Sequence, residues 1–177
     1  MAGTREFDIV VYGATEKLAS VRDLIGAPAD TPLIAADAAD PAALKKMVES
    51  TKVVITTVGP YLLYGEPLVA ACAAAGTDYV DLCGEVPFMR KMIDAHEDAA
   101  KKSGARIVFS CGFDSIPFDM GVYFLQDQAK AKFGKPAPRV KGRVRAMNGT
   151  LSGGTAASGR ATFELAQKDP AMMAHLF

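Results

Sequence analysis

The stretch Phe7-Asp8-Ile9-Val10-Val11-Tyr12-Gly13-Ala14-Thr15 decides the fold, because a β-branched, apolar run stops at a glycine and is followed by a residue able to cap a helix. A run with so little polar alternation reads as a buried first strand of a parallel sheet. Thr15 then opens a helix through Ile25, with Leu18, Val21, Leu24 and Ile25 on one face and Gly26 as its stop. Strand, glycine turn and capped helix together bring free N–H groups and the positive end of a helix dipole to one point, which suits a pyrophosphate. The motif is incomplete, since no second glycine follows Gly13 until Gly26, and a plain turn explains Gly13 equally well.

Working outward, four more strand-like runs occupy residues 32–37, 52–58, 77–82 and 105–110. Helices fill the gaps. Asp40 caps one, with Pro41 in its first position and Leu44, Met47 and Val48 facing inward. Pro67 and Gly76 bound a second; Pro87 and Gly104 bound a third, which carries Met89, Met92, Ile93 and His96 as a stripe. This alternation predicts an α/β fold, a Rossmann-like doubly wound parallel sheet covered on both faces, since parallel strands need long crossovers. A further helix over 118–133 ends in the linker-like Gly134-Lys135-Pro136-Ala137-Pro138, and a strand over 140–147 and a helix near 160–168 follow. The expected division is therefore a dinucleotide-binding domain over 1–134 and the start of a second, α+β substrate or dimerisation domain over 139–177.

With 20 Lys and Arg against 20 Asp and Glu, the chain lacks the basic excess that drives nucleic-acid binding, so no nucleic-acid partner is expected. Cys72, Cys83 and Cys111 are widely spaced, without a CxxC pair, which argues against a disulfide framework or a metal site and for a reducing, cytoplasmic setting. The longest apolar run, 68–75, is too short to span a bilayer, and charges interrupt the amino terminus where a signal peptide needs its apolar stretch.

Ligands of open parallel sheets bind beyond the carboxyl ends of the strands, so the residues just past each run are the candidates. Asp37 lies 24 residues after Gly13, where an acid would hold the ribose of an unphosphorylated dinucleotide, although a solvated capping Asp fits as well. Thr57-Val58-Gly59-Pro60-Tyr61 lets backbone approach a flat ligand and offers a ring and a hydroxyl. Asp114, in the loop Gly112-Phe113-Asp114-Ser115-Ile116-Pro117, offers a carboxylate beside a hydroxyl, or simply a helix cap. Tyr61 and Asp114 are expected to face each other across the cleft as the catalytic pair. His96 reads as packed, and no cysteine has an adjacent base to activate it.

Four strings, 7–15, Thr56-Thr57-Val58-Gly59-Pro60-Tyr61, Gly76-Thr77-Asp78-Tyr79-Val80-Asp81-Leu82-Cys83-Gly84-Glu85 and Cys111-Gly112-Phe113-Asp114-Ser115-Ile116-Pro117, together resemble the saccharopine dehydrogenase-like oxidoreductases, in particular their trans-acting enoyl reductase subfamily. The resemblance implies an NADP cofactor, with Gly13, Ala14 and Thr15 at the phosphates, Asp37 and Ala38 at the adenine, and Thr57, Gly59, Pro60 and Tyr61 at the nicotinamide half; Asp114 would face the substrate. It implies reduction of an enoyl thioester or similar acyl substrate by hydride transfer, and leaves a homodimer open. The same resemblance places Asp37 after a third strand, which favours NADP over the NAD that its spacing alone suggests. Members of the family insert a glycine-rich turn, a helix and a strand after the position of Thr15. That step is absent here, either through omission of a segment or through a deletion, and omission is favoured because losing a central strand opens the sheet. Two alternatives stand beside the enoyl reductase reading: a saccharopine-type amino-acid dehydrogenase, and a cofactor-free remnant acting as an interaction module.

Overall fold

The computed structural model describes residues 4–13, 18–150 and 152–168. The first strand is where the opening stretch puts it: β1 (Phe7–Tyr12) pairs in parallel with β2 (Thr51–Thr56), β2 with β3 (Asp78–Asp81), and β3 with β4 (Ile107–Val108), in sheet order β1-β2-β3-β4. Between them run α1 (Leu18–Leu24), α2 (Pro41–Ser50), α3 (Tyr61–Tyr64), α4 (Glu66–Ala75) and α5 (Val86–Ser103); α6 (Ile116–Phe133) and α7 (Gly153–Lys168) follow β4. The α/β Rossmann-like architecture is therefore as expected.

The register puts Val10, Val54 and Tyr79 in one row and Tyr12, Thr56 and Asp81 in the next, both on the same face. There they meet Leu44, Met47 and Val48 of α2, Leu68, Val69 and Cys72 of α4, and Phe88 and Met92 of α5 in one core. Helix-capping chemistry fixes where these helices begin and end. Asp40 Oδ1 accepts from the amides of Ala42 and Ala43 at 2.9 and 3.1 Å, and Gly76 and Gly104 close α4 and α5 in left-handed conformation. At the amino ends of the strands, side chains collect orphaned helix carbonyls: Arg5 donates to Val48 O at 3.0 Å and Ala75 O at 2.6 Å, and Thr77 Oγ1 donates to Val48 O at 2.7 Å.

Three expectations need correction. Residues 32–37 form no strand and join no ladder among the described residues, although Ala36 is buried. The resemblance makes this the strand whose neighbour would come from the step absent after Thr15, and β-forming residues without a neighbouring strand have nothing to pair with. Residues 140–147 likewise form no strand, and all but Val140 are exposed. Finally, helices flank the sheet but pack closely on one face only: Ile9, Val11, Ile55 and Val108 on the other are exposed, and α1 and α6 bury no residue. The helix expected from Thr15 is described only from Leu18.

Candidate functional site

β1 and β2 diverge at their carboxyl ends around Gly13 and Thr57, whose amide still bonds Tyr12 O at 3.2 Å. Beyond that last ladder bond, Tyr12, Gly13, Asp37, Ala38, Thr57, Val58 and Gly59 line an open cleft of about 470 Å³. The structure thus brings together five predicted cofactor residues from three separate segments. Ala14 and Thr15 lie outside the described residues. Asp37 accepts from Ala39 N through Oδ1 at 2.9 Å and is exposed at the cleft.

Thr57 and Gly59 continue from this cleft into a second cavity of about 520 Å³. Tyr61, Leu82, Gly84 and Glu85 form its floor, and α7 forms its opposite wall with Thr155, Ser158, Thr162 and Phe163. Gly59 sits at the joint, where a Cβ would lie at ordinary contact distance, 3.5 Å, from Ser158 Oγ and the Tyr61 ring. Pro60 follows through a cis peptide bond and starts α3. The two spaces form a continuous trough along the strand ends, with Gly13, Gly59 and Gly84 along it and the Asp37 carboxylate at its outer end.

Tyr61 is present but turned inward. It is 4% exposed, its ring lies 5.8 Å from that of Phe88, and its hydroxyl donates to Thr56 O at 3.3 Å. Burial, and next the nearby Asp81 carboxylate, hold that hydroxyl well above the usual tyrosine range. Its ring, rather than its proton, is what the cavity receives. Asp114 is exposed and lines neither space, so the expected pairing across the cleft with Tyr61 is not what the structure places there. Nor does it cap α6, whose N-cap is Ser115.

Two buried carboxylates, Asp81 and Glu85, bracket the end of β3, a stretch that the sequence marks as a strand exit without giving either residue a role. Glu85, 2% exposed, accepts from Tyr61 N through Oε1 at 2.9 Å and from Leu62 N through Oε2 at 2.8 Å. Asp81 accepts from Cys83 N and Ser110 N through Oδ1 and from the Tyr79 hydroxyl through Oδ2 at 2.7 Å. Burial raises the Asp81 carboxyl above the usual range despite those donors, and burial pushes the Cys83 thiol up to about 12, so Cys83 is no nucleophile. Partners 24 and 29 residues away are invisible to local pattern; the one available hint was a pair of carboxylates bracketing the β3 exit, where unpaired amides collect. His96 is packed as expected, with Nε2 buried, unbonded and 4.0 Å from Glu66 Oε1. Among the described residues there is no cluster of His, Cys, Asp and Glu suited to a metal, and no helix long and apolar enough to cross a membrane.

Comparison with known proteins adds three findings. Residues 3–108 match the family model described as the saccharopine dehydrogenase NADP binding domain. Relatives named as trans-acting enoyl reductases include one from Mycobacterium tuberculosis, 43% identical over 96% of this chain and 47% of the relative, and one from Mycobacterium leprae, 48% identical over 68% of this chain and 36% of the relative. The chain thus spans about half the length, or less, of the relatives it matches. The first alignment covers 197 positions against the chain's 177 residues, so that relative carries residues within the matched span that this chain lacks. Among solved structures, apo saccharopine dehydrogenase (L-Glu forming) from Saccharomyces cerevisiae superposes with a TM-score of 0.51 at 20% identity, over 73% of this chain and 27% of the other, which is a likeness of fold.

Proposed function

The chain belongs to the saccharopine dehydrogenase NADP-binding domain family, and from that membership we propose that it forms the cofactor-binding part of an NADPH-dependent oxidoreductase that reduces an enoyl thioester or related lipid-like acyl substrate. The observation that carries the substrate class is the inner cavity's lining: Tyr61, Leu82, Phe163 and Ala166 with the hydroxyls of Thr155, Ser158 and Thr162, and among the described residues no Lys or Arg. A saccharopine-type substrate brings carboxylates, and enclosing a carboxylate without a cationic partner costs several kcal/mol. Among the described residues, the cavity's one charged residue, Glu85, has both oxygens engaged by amides. The names of the mycobacterial relatives support the same choice.

When bound, the nicotinamide supplies the hydride, and the protein's part is to bind, orient and exclude water. Asp37 and Ala38 would hold the adenosine half, Gly13 the approach to the phosphates with Ala14 and Thr15, and Thr57, Gly59, Pro60 and the Tyr61 ring the nicotinamide half. Helix α7 forms the wall of the inner cavity opposite that ring. No proton is drawn from Tyr61, whose hydroxyl is already engaged by Thr56 O, and none is assigned to exposed Asp114. The domain division at 134–139, a homodimer and a cytosolic location belong to the same proposal; free Cys72, Cys83 and Cys111 fit a reducing compartment.

Thermal unfolding with each dinucleotide tests the reading. A ligand at about 100 times its Kd stabilises by roughly 2.7 kcal/mol, so NADPH should raise the melting temperature by several degrees and NADH by less. Equal shifts defeat the NADP assignment, and no shift with either supports the cofactor-free module. Turnover of a free amino acid without turnover of any enoyl thioester supports the amino-acid dehydrogenase.

A further inference from the structure

Resting on the dinucleotide reading above, we propose that Glu85 is the positioning residue of the cofactor trough, its carboxylate setting the Thr57–Tyr61 loop that separates and joins the two cavities. Tyr61 and Leu62 are the first residues of a four-residue helix, so their amides have no intrahelical acceptor. Pro60, the N-cap, offers no side-chain bond, and a carboxylate from the entrance of another helix takes that place instead. Glu85 is itself the N-cap of α5, yet its side chain makes no bond to α5 amides; the position is filled by a residue serving its neighbour.

The carboxylate is held from behind. Glu85 N donates to Cys83 Sγ at 3.2 Å, Cys83 N donates to Asp81 Oδ1 at 3.0 Å, and Ser110 Oγ donates to Cys83 O at 2.7 Å. The Phe88 ring, one turn into α5, lies against Tyr61 and would collide with any Cβ on Gly65 at the end of α3. A buried carboxylate with an amide on each oxygen is held firmly, because releasing either amide leaves a buried oxygen and a buried N–H unpaired. Glu85 touches neither the reacting atoms nor, in its present bonds, a ligand; it acts through Gly59, Pro60 and Tyr61.

Glutamine isolates this role, since Glu85→Gln keeps size and one acceptor oxygen but turns an NH₂ group toward one of the two amides. The expected result is NADPH binding weakened about tenfold or more, with hydrogen exchange at Tyr61 and Leu62 accelerated and exchange across β2 unchanged. Met47→Ala, in the core under α2 and outside both cavities, is the control: it lowers stability while leaving the NADPH Kd within about twofold. Wild-type NADPH affinity in Glu85→Gln with slow exchange at Tyr61 and Leu62 overturns the proposal. If the variant does not fold, the unmodified chain decides. Slow exchange at both helix-start amides, slowed further by NADPH, is the expected result; rapid exchange at either, or slow exchange that bound NADPH leaves unchanged, overturns it. Failure of the unmodified chain to bind either dinucleotide defeats the cofactor reading instead, and exchange then still reads the clamp alone.

Discussion

Helices α5 and α6 are built to one plan and used in opposite ways. Each has 18 residues, a proline in its first turn, two lysines in its last turn and a left-handed glycine, Gly104 or Gly134, closing its end. Yet α5 buries Pro87, Phe88, Met92 and Ala100, while α6 buries none and leaves Phe118, Met120, Tyr123, Phe124 and Leu125 exposed. Capping residues decide that a helix forms and where it stops; the distribution of apolar residues decides what it does next. In α5 those residues recur on one stripe, so a single core satisfies them. In α6 they run round the barrel, so no single face gathers them. Gln126 only folds the following turn back on it, through two bonds to Ala137.

The comparison breaks most plainly at the aromatic residues. Phe88→Ala removes a ring that is 1% exposed and edge-on to Phe109, and should cost about 3–5 kcal/mol in denaturant unfolding. Phe124→Ala, at 60% exposure, should stay within about 0.5 kcal/mol; a loss comparable to that of Phe88 would mean that α6 is covered in solution. The caps sharpen the contrast at smaller scale. A Cβ at Gly104 or Gly134 meets nothing within 4 Å, so alanine at either carries only the left-handed strain, about 1–2 kcal/mol. Gly104→Ala should lower global stability by that amount, while Gly134→Ala should fray α6 in hydrogen exchange and leave the global midpoint in place.

The smallest effect is one of slope, at the strand ends from which both helices set out. The folded Asp81 carboxyl is raised above the ordinary 3.8, chiefly by burial. Between that value and the raised one the folded state holds more protons than the unfolded state, so stability falls as pH rises through the window. Asp81→Asn should remove this decline in melting temperature measured against pH; an unchanged slope would place the titration elsewhere.

Legibility in the sequence followed the range of the interactions. β1 and α2 were readable because run, cap and stop are local, and Gly13, Asp37, Ala38, Thr57 and Gly59 could be placed at one edge because parallel strands share a carboxyl end. Residues 32–37 misled because their propensity was sound and their partner was missing. The stretch from Asp81 to Glu85 could be marked as a strand exit, but what its carboxylates hold could not be read, because the bonds to Tyr61, Leu62 and Ser110 close across 23 to 29 residues. Tyr61 lines the inner cavity, but its hydroxyl is held by Thr56 O and its ring lies against Phe88, contacts that the residues beside it in sequence do not reveal.

The guanidinium of Arg5, bound to the last carbonyls of α2 and α4, carries a practical consequence for handling the molecule. It is a rivet set two residues before the sheet begins, fastening β1 to the pole of the sheet opposite the trough. A protease that trims the amino-terminal tail through Arg5 would leave every trough-lining residue in place and still shorten the protein's working lifetime, so preparations of equal initial activity should age at different rates according to where their first residue lies.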